Sequence, residues 1–301
     1  MNIEQLNAKF GIAKQIEIIE GNGGLPFISI TNSSAKALIS IYAGQVLSFQ
    51  PVSESDDLMF LSDKAYYQEG KAIKGGVPIC WPWFGPDPDA SGRPAHGFVR
   101  NRLWNVLTTE ITQTGETKVV LGLVDTEETR AIWPYSFELA IAISVGKTLT
   151  LELITRNTDV KAFSITQAFH TYFSVGDIDQ VKVLGLEGKN YIDKVEKGIQ
   201  KQQEGAIKIA SEVDRIYTNT SGKLVIDDDK LKRQIIITSQ GSKTAVVWNP
   251  WAEICSQMAD LDNEAYKKLI CVETTNAADD IVIIEPGQSF NLVATYHIEH
   301  K

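Results

Sequence analysis

Short runs of β-branched and aromatic residues, separated by clusters of turn formers, recur along almost the whole chain. This pattern constrains the fold more than any other feature. Ile28-Ser29-Ile30, Ala37 to Tyr42, Lys118 to Leu123, Phe137 to Val145, Thr148 to Thr155 and Phe290 to Ile298 each have strand composition. Thr148-Leu149-Thr150-Leu151-Glu152-Leu153 alternates polar with apolar residues. Successive side chains of a strand leave opposite faces, so a period of two marks a strand with one wet and one buried face. Between the runs lie Gly21-Asn22-Gly23-Gly24, Asn157-Thr158-Asp159, Gln240-Gly241-Ser242 and Pro286-Gly287. Many short strands at short spacing predict an all-β fold, a sandwich or barrel.

Helical pattern is scarce. A terminal helix is expected over Asn2 to Phe10, one or two turns within Asp125 to Ile132, and a helix through Ala265 to Leu269 capped by Asp262. Strand does not alternate with helix as in a doubly wound fold, and no repeat or linker interrupts the pattern. The expectation is a single domain over residues 1–301.

The 301 residues are 43% apolar and 22% charged, which excludes disorder, collagen and coiled coil. Lys and Arg number 29 against 38 Asp and Glu, a net charge of −9. Nucleic-acid binders draw most of their affinity from phosphate neutralisation, so this balance argues against a nucleic-acid partner. No stretch approaches the roughly 20 apolar residues of a membrane span. Three widely spaced cysteines, Cys80, Cys255 and Cys271, form no Cys-x-x-Cys pair and suggest neither a disulfide framework nor a zinc site. The N-terminus lacks a basic region followed by an apolar run, so a reduced, cytoplasmic protein is expected.

One segment breaks the pattern. Residues 71–102 carry five glycines, five prolines and the aromatics Trp81, Trp83 and Phe84. Lys71, Lys74, Arg93, Arg100 and Arg102 oppose only Asp87 and Asp89, a local charge of +3 in a chain that is otherwise −12. Long ordered loops with such chemistry often carry function. A solvated crossover loop would show the same composition.

Few residues could carry chemistry. His297 and His300 are terminal. His96 lies inside the glycine-rich segment, and His170 lies at a strand end in Ala168-Phe169-His170-Thr171-Tyr172. A lone His among apolar neighbours is more often a hydrogen-bonded core histidine than a catalyst. Glu273 follows Leu269-Ile270-Cys271-Val272. Desolvation there would raise its pKa toward general-base values, unless it sits on an edge and faces water. Asp214 is similar, but Arg215 is its neighbour in sequence. Phosphate-loop, dinucleotide and nucleophile-elbow motifs are missing, as is any His-x-x-x-His pair. What remains is a His and a Glu suited to proton transfer and cations suited to an anion.

Lys71-Ala72-Ile73-Lys74-Gly75-Gly76-Val77-Pro78-Ile79-Cys80-Trp81-Pro82-Trp83-Phe84-Gly85-Pro86, followed by Ala95-His96-Gly97-Phe98-Val99-Arg100, resembles the hexose-6-phosphate mutarotases (glucose-6-phosphate 1-epimerases) of the aldose 1-epimerase superfamily. Arg130 to Tyr135, Ala168 to Phe173, Val213 to Tyr217, Val247 to Trp251 and Cys271-Val272-Glu273 match in the same order. The resemblance implies a large antiparallel β-sandwich of the galactose mutarotase-like type, with the sugar in an open cleft. It implies His170 as general acid and Glu273 as general base, hence a protonated His170 and an ionised Glu273 in the active form. It places Lys74, Arg100 and Asp214 among the substrate contacts, with His96 lining the same site. It implies a sugar phosphate as substrate, no cofactor, no metal and a monomer. This chain departs from the family in having Lys74 where Arg is usual and Ala95 where some members have Gln. A free-sugar mutarotase and a non-catalytic carbohydrate-binding protein are the alternatives on the same scaffold.

Overall fold

The computed structural model describes residues 2–301. Among them, two large antiparallel sheets dominate. A nine-stranded sheet runs in the order Ile207–Lys208, Val181–Leu184, Lys223–Asp228, Arg233–Gln240, Ser289–His300, Leu149–Asn157, Phe137–Val145, Thr117–Val124, Asn105–Ile111. An eight-stranded sheet runs in the order Ile199–Gln202, Asn190–Asp193, Val213–Thr218, Thr244–Asn249, Leu269–Asn276, Gln167–Phe169, Ile79–Cys80, and Tyr172–Ser174 also pairs with Leu269–Asn276. A four-stranded sheet of consecutive N-terminal strands, Ile16–Glu20 to Gln45–Pro51, and a two-stranded ladder complete the β structure.

The alternation read from the sequence sets the register of the nine-stranded sheet. Leu149, Leu151 and Leu153 are buried, and they face Tyr296, Ala294 and Leu292 across the ladder. A slip of one strand by one residue would turn its three toward water, so the pairing is strongly specified. The two large sheets meet face to face through aromatics. The Trp81 ring lies 4.5 Å from Phe137, and its indole N–H donates to Thr155 Oγ1 at 3.0 Å. Phe173 meets Tyr296 edge-on at 5.2 Å. Fully buried indoles need such a partner, because an unmet N–H in the core is costly.

Helices are few and short. A helix spans Ile3–Phe10, where the sequence led us to expect one, and Asn2 caps it in a capping box with Gln5. Thr126 caps Glu127–Ile132. Two expectations need correction. Asp262 does not cap a helix with its side chain. Its backbone carbonyl accepts from the Ala265 N–H at 2.9 Å, and its carboxylate pairs with Lys64 at 2.7 Å. The helical piece is a 3-10 turn, Ala265–Lys267, because Leu269 already belongs to the next strand. A helix at Trp251–Gln257 was not foreseen. Its seven residues are too few to show helical period. No helix among the described residues is long and apolar enough to cross a membrane.

Candidate active site

The central strand of the eight-stranded sheet, Leu269–Asn276, is buried along its entire length. Glu273 therefore sits at mid-strand, not on an edge, and its side chain is 1% exposed. Two short strands, Gln167–Phe169 and Tyr172–Ser174, pair with it in succession. His170 occupies the break between them, where its N–H donates to the Pro78 carbonyl at 2.9 Å. The break frees the imidazole from the sheet's alternation. It lies over the central strand, its Nε2 3.4 Å from Glu273 Oε1. Tyr172 stacks on the ring at 5.0 Å with an interplanar angle of 14°.

The pair lies at a cavity of about 480 Å³. All six residues singled out from the sequence line this cavity: Lys74, His96, Arg100, His170, Asp214 and Glu273. The cations of the glycine-rich segment divide sharply. Arg93 is engaged by Asp87 and Asp89 and covers Trp83 at 4.4 Å. Arg102 pairs with Glu128. Only Lys74 and Arg100 of the five face the cavity. Arg100 donates to the Ala95 backbone carbonyl at 3.1 Å, while its buried Nε has no partner. The departure at position 95 thus leaves this guanidinium's anchor intact, since the anchor is main chain.

His96 has φ +63°, and its Nδ1 accepts the Gly85 N–H at 3.3 Å. The adjoining Gly97 is required. With φ +72° it bridges to Trp81, and a Cβ there would meet the Trp81 carbonyl oxygen at 1.8 Å. Asp214 and Arg215 leave opposite faces of Val213–Thr218. Asp214 reaches the cavity, whereas Arg215 stacks on Tyr191 at 4.7 Å and faces Asp193. The sequence neighbour therefore does not neutralise Asp214.

Electrostatics in the cavity favour uncharged forms. Burial, then the nearby Asp214 charge, pushes Glu273 well above the usual carboxylate range. Burial, then His96, Arg100 and Lys74, holds His170 well below an ordinary imidazole. Burial brings Asp214 up to about 6 and His96 down to about 3. The expected pairing of ionised Glu273 with protonated His170 concerns the active form, whereas both shifts lean toward the uncharged forms in the empty site. The empty site favours neutral His170 beside a protonated Glu273, because a buried charge loses its hydration. The proton count of the pair is the same either way. Glu273 Oε2 and His170 Nδ1 are buried without hydrogen-bond partners.

Residues 26–297 match the model of the aldose 1-epimerase family. The chain belongs to this family. It is 36% identical over 91% of its length to a protein of Cenchrus ciliaris provisionally named glucose-6-phosphate 1-epimerase, covering 85% of that protein. A protein of Escherichia coli with the same provisional name is 36% identical, with 85% of this chain and 84% of that one covered. The crystal structure of a provisionally named mutarotase, YeaD from Salmonella typhimurium, superposes with a TM-score of 0.90 at 31% identity, covering 99% of both chains. An aldose 1-epimerase is an isomerase, and a large antiparallel β-sandwich is the fold these comparisons share.

The cavity of this aldose 1-epimerase also holds residues that sequence reasoning passed over. Tyr172 and Trp248 lay inside recognised blocks without a role; here they wall the cavity around His170, Trp248 meeting that ring edge-on at 6.1 Å. Lys194 lines the cavity beside Asp214. Asp260 holds Lys74 at 3.5 Å, both partly buried. Nothing in sequence marks the last two, because both lie in loops without periodicity.

Proposed function

We propose that this protein interconverts the α and β anomers of hexose 6-phosphates, glucose 6-phosphate foremost. The observation that carries the reading is the His170–Glu273 pair, 3.4 Å apart, in a cavity that also holds Lys74 and Arg100. Anomer exchange needs a proton removed from the C1 hydroxyl and a proton delivered to the ring oxygen. The C1–O5 bond then breaks and C1 becomes an aldehyde. Rotation about C1–C2 presents its other face, and the reverse transfers close the ring. Glu273 takes the hydroxyl proton and His170 donates to the ring oxygen. Each positioned group typically contributes about 10²- to 10⁴-fold.

The resting proton on Glu273 must first pass to His170. A phosphate of about −1.5 to −2 charges assists this, because it offsets the cations that discourage imidazolium. Lys74 and Arg100 receive the phosphate, Asp214 and His96 contact the sugar, and Trp248 offers a flat apolar wall. Substrate thereby charges the pair that acts on it. Three unpaired, buried cysteines fit a reducing, cytoplasmic setting. Both large sheets draw strands from well-separated parts of the chain, which fits residues 1–301 acting as one domain.

The test is exchange spectroscopy by NMR on glucose 6-phosphate, galactose 6-phosphate and free glucose. The phosphorylated sugars should exchange faster with catalytic protein, and free glucose far less so. Equal acceleration of free and phosphorylated glucose would remove the phosphate assignment. Tight binding without acceleration would make the protein a carbohydrate binder.

A further inference from the structure

Cysteine spacing in the sequence suggested no metal site, yet the fold sets one cysteine against the acid–base pair. Cys271 and Glu273 are two apart on one strand, so both side chains leave the same face. One ring nitrogen of His170, the Sγ of Cys271 and one carboxylate oxygen of Glu273 all lie within 4.8 Å of one another. We propose that these three side chains form a site for a thiophilic divalent cation, zinc above all, and that occupancy stops turnover by capturing both proton-transfer groups.

The donor set of imidazole, thiolate and carboxylate is zinc's own, and three protein ligands leave a fourth position open toward the cavity. Zinc–nitrogen and zinc–oxygen bonds of about 2.0–2.2 Å put two such ligands about 3.4 Å apart on a tetrahedron. His170 Nε2 and Glu273 Oε1 stand at 3.4 Å. With a zinc–sulfur bond of about 2.3 Å, the thiol needs to close by at most about 1.3 Å. Binding releases the protons of the Cys271 thiol and of Glu273 to solvent, and the two anionic ligands so formed, with Asp214, offset Lys74 and Arg100, which oppose a dication in this cavity. That balance selects an ion that bonds strongly to sulfur over magnesium or calcium. Neither other cysteine belongs to the cluster, and Cys255 donates instead to the Asp262 carbonyl.

Metal binding stands apart from the catalytic reading, whereas inhibition rests on it, so the experiment has two readouts. The full chain is titrated with cobalt(II) chloride while the thiolate-to-cobalt charge-transfer band is followed, and with zinc chloride while anomer exchange is followed. We expect a band that saturates at one cobalt per chain, yields to zinc, persists in a Cys80→Ala/Cys255→Ala variant and is lost in Cys271→Ala. Cys271→Ala should keep its metal-free turnover and need at least about 100-fold more zinc for half inhibition, since losing even an outer-shell partner lowers metal affinity about 10- to 100-fold. A wild-type protein without the band, or zinc inhibition that Cys271→Ala leaves unmoved, overturns the site. A Cys271-dependent band on a protein that still turns over with zinc bound would keep the site and overturn the roles given to His170 and Glu273.

Discussion

Two neighbouring-sheet strands of similar length, Leu149–Asn157 and Leu269–Asn276, make different uses of burial. The first alternates, with Leu149, Leu151 and Leu153 inside and Thr150, Glu152 and Ile154 partly outside. Thr150, Glu152 and Arg156 reach water and the leucines make the core, while the buried Thr155 and Asn157 are hydrogen-bonded. The second has no wet face. Its polar residues Glu273, Thr274, Thr275 and Asn276 are as buried as its apolar ones. Thr275, Thr274's neighbour, shares hydrogen bonds with Thr244, and Asn276 bonds the Gly241 carbonyl and Asp280, so those groups are satisfied. Glu273 is not. A strand that keeps a carboxylate in the dark without full hydrogen bonding has given up stability at that residue, and the cavity beside it is where the return is collected.

The sharpest way to break this comparison is to change the two strands separately. Glu273→Gln and His170→Ala should each lower kcat by about 10²- to 10⁴-fold. The melting temperature of Glu273→Gln should hold or rise, because a desolvated acid is replaced by a neutral amide of the same shape. The double variant should lose less than the product of the two effects, since both groups serve one step. A Glu273→Gln protein that melts early and keeps its turnover would make the second strand ordinary core.

Leu153→Ala should show the opposite signature. Leu153 is fully buried and faces Leu292 and Ile141. Its truncation should cost about 2–5 kcal/mol, seen as a lower urea midpoint at unchanged slope. Activity per folded molecule should not change.

A smaller effect is expected at the cavity's cations. Arg100→Ala removes a charge-assisted hydrogen bond of about 1.5–3 kcal/mol, so kcat/KM for glucose 6-phosphate should fall roughly 10- to 150-fold. Free glucose should be almost unaffected, and Lys74→Ala should act in the same sense but less. If Arg100→Ala harms both sugars equally, Arg100 supports the ring or the fold instead.

The smallest effect concerns pH. The rate should be bell-shaped, its limbs belonging to the pair jointly. Below the acid limb a second proton joins the pair and the base is lost; above the alkaline limb the last proton leaves and the acid is lost. Asp214 is an anion above about 6, and its charge strengthens Glu273's hold on a proton. Asp214→Asn should therefore move the alkaline limb toward lower pH. An unmoved limb would mean that burial alone sets the pair.

Legibility in the sequence followed the same division. Period two in Thr148 to Leu153 identified both the strand and its buried face, since each residue reports its own exposure. The strand at Leu269 carries no alternation, and composition alone left Glu273 between mid-strand and edge. Its role, and those of His170, Lys74, Arg100, His96 and Asp214, came from resemblance in ordered blocks, and the cavity brings these residues together. Asp262 was misjudged because an Asp before a short apolar run looks like a cap whether its side chain or its carbonyl does the bonding. Asp260 and the nearness of Cys271 to His170 were out of reach, because both depend on loops and strands far apart in the chain. The lean of the empty pair toward uncharged forms was out of reach for a related reason: burial is a property of the assembled cavity and of no single segment.

The bond from Arg100 to the Ala95 carbonyl has a consequence for lineages. A main-chain acceptor is supplied by every amino acid, so selection on the guanidinium's position does not act through the side chain at 95. That position can drift between alanine and glutamine while the cation stays where it is. What a side chain at 95 could still change is its own contact with the cavity, not the placing of the cation.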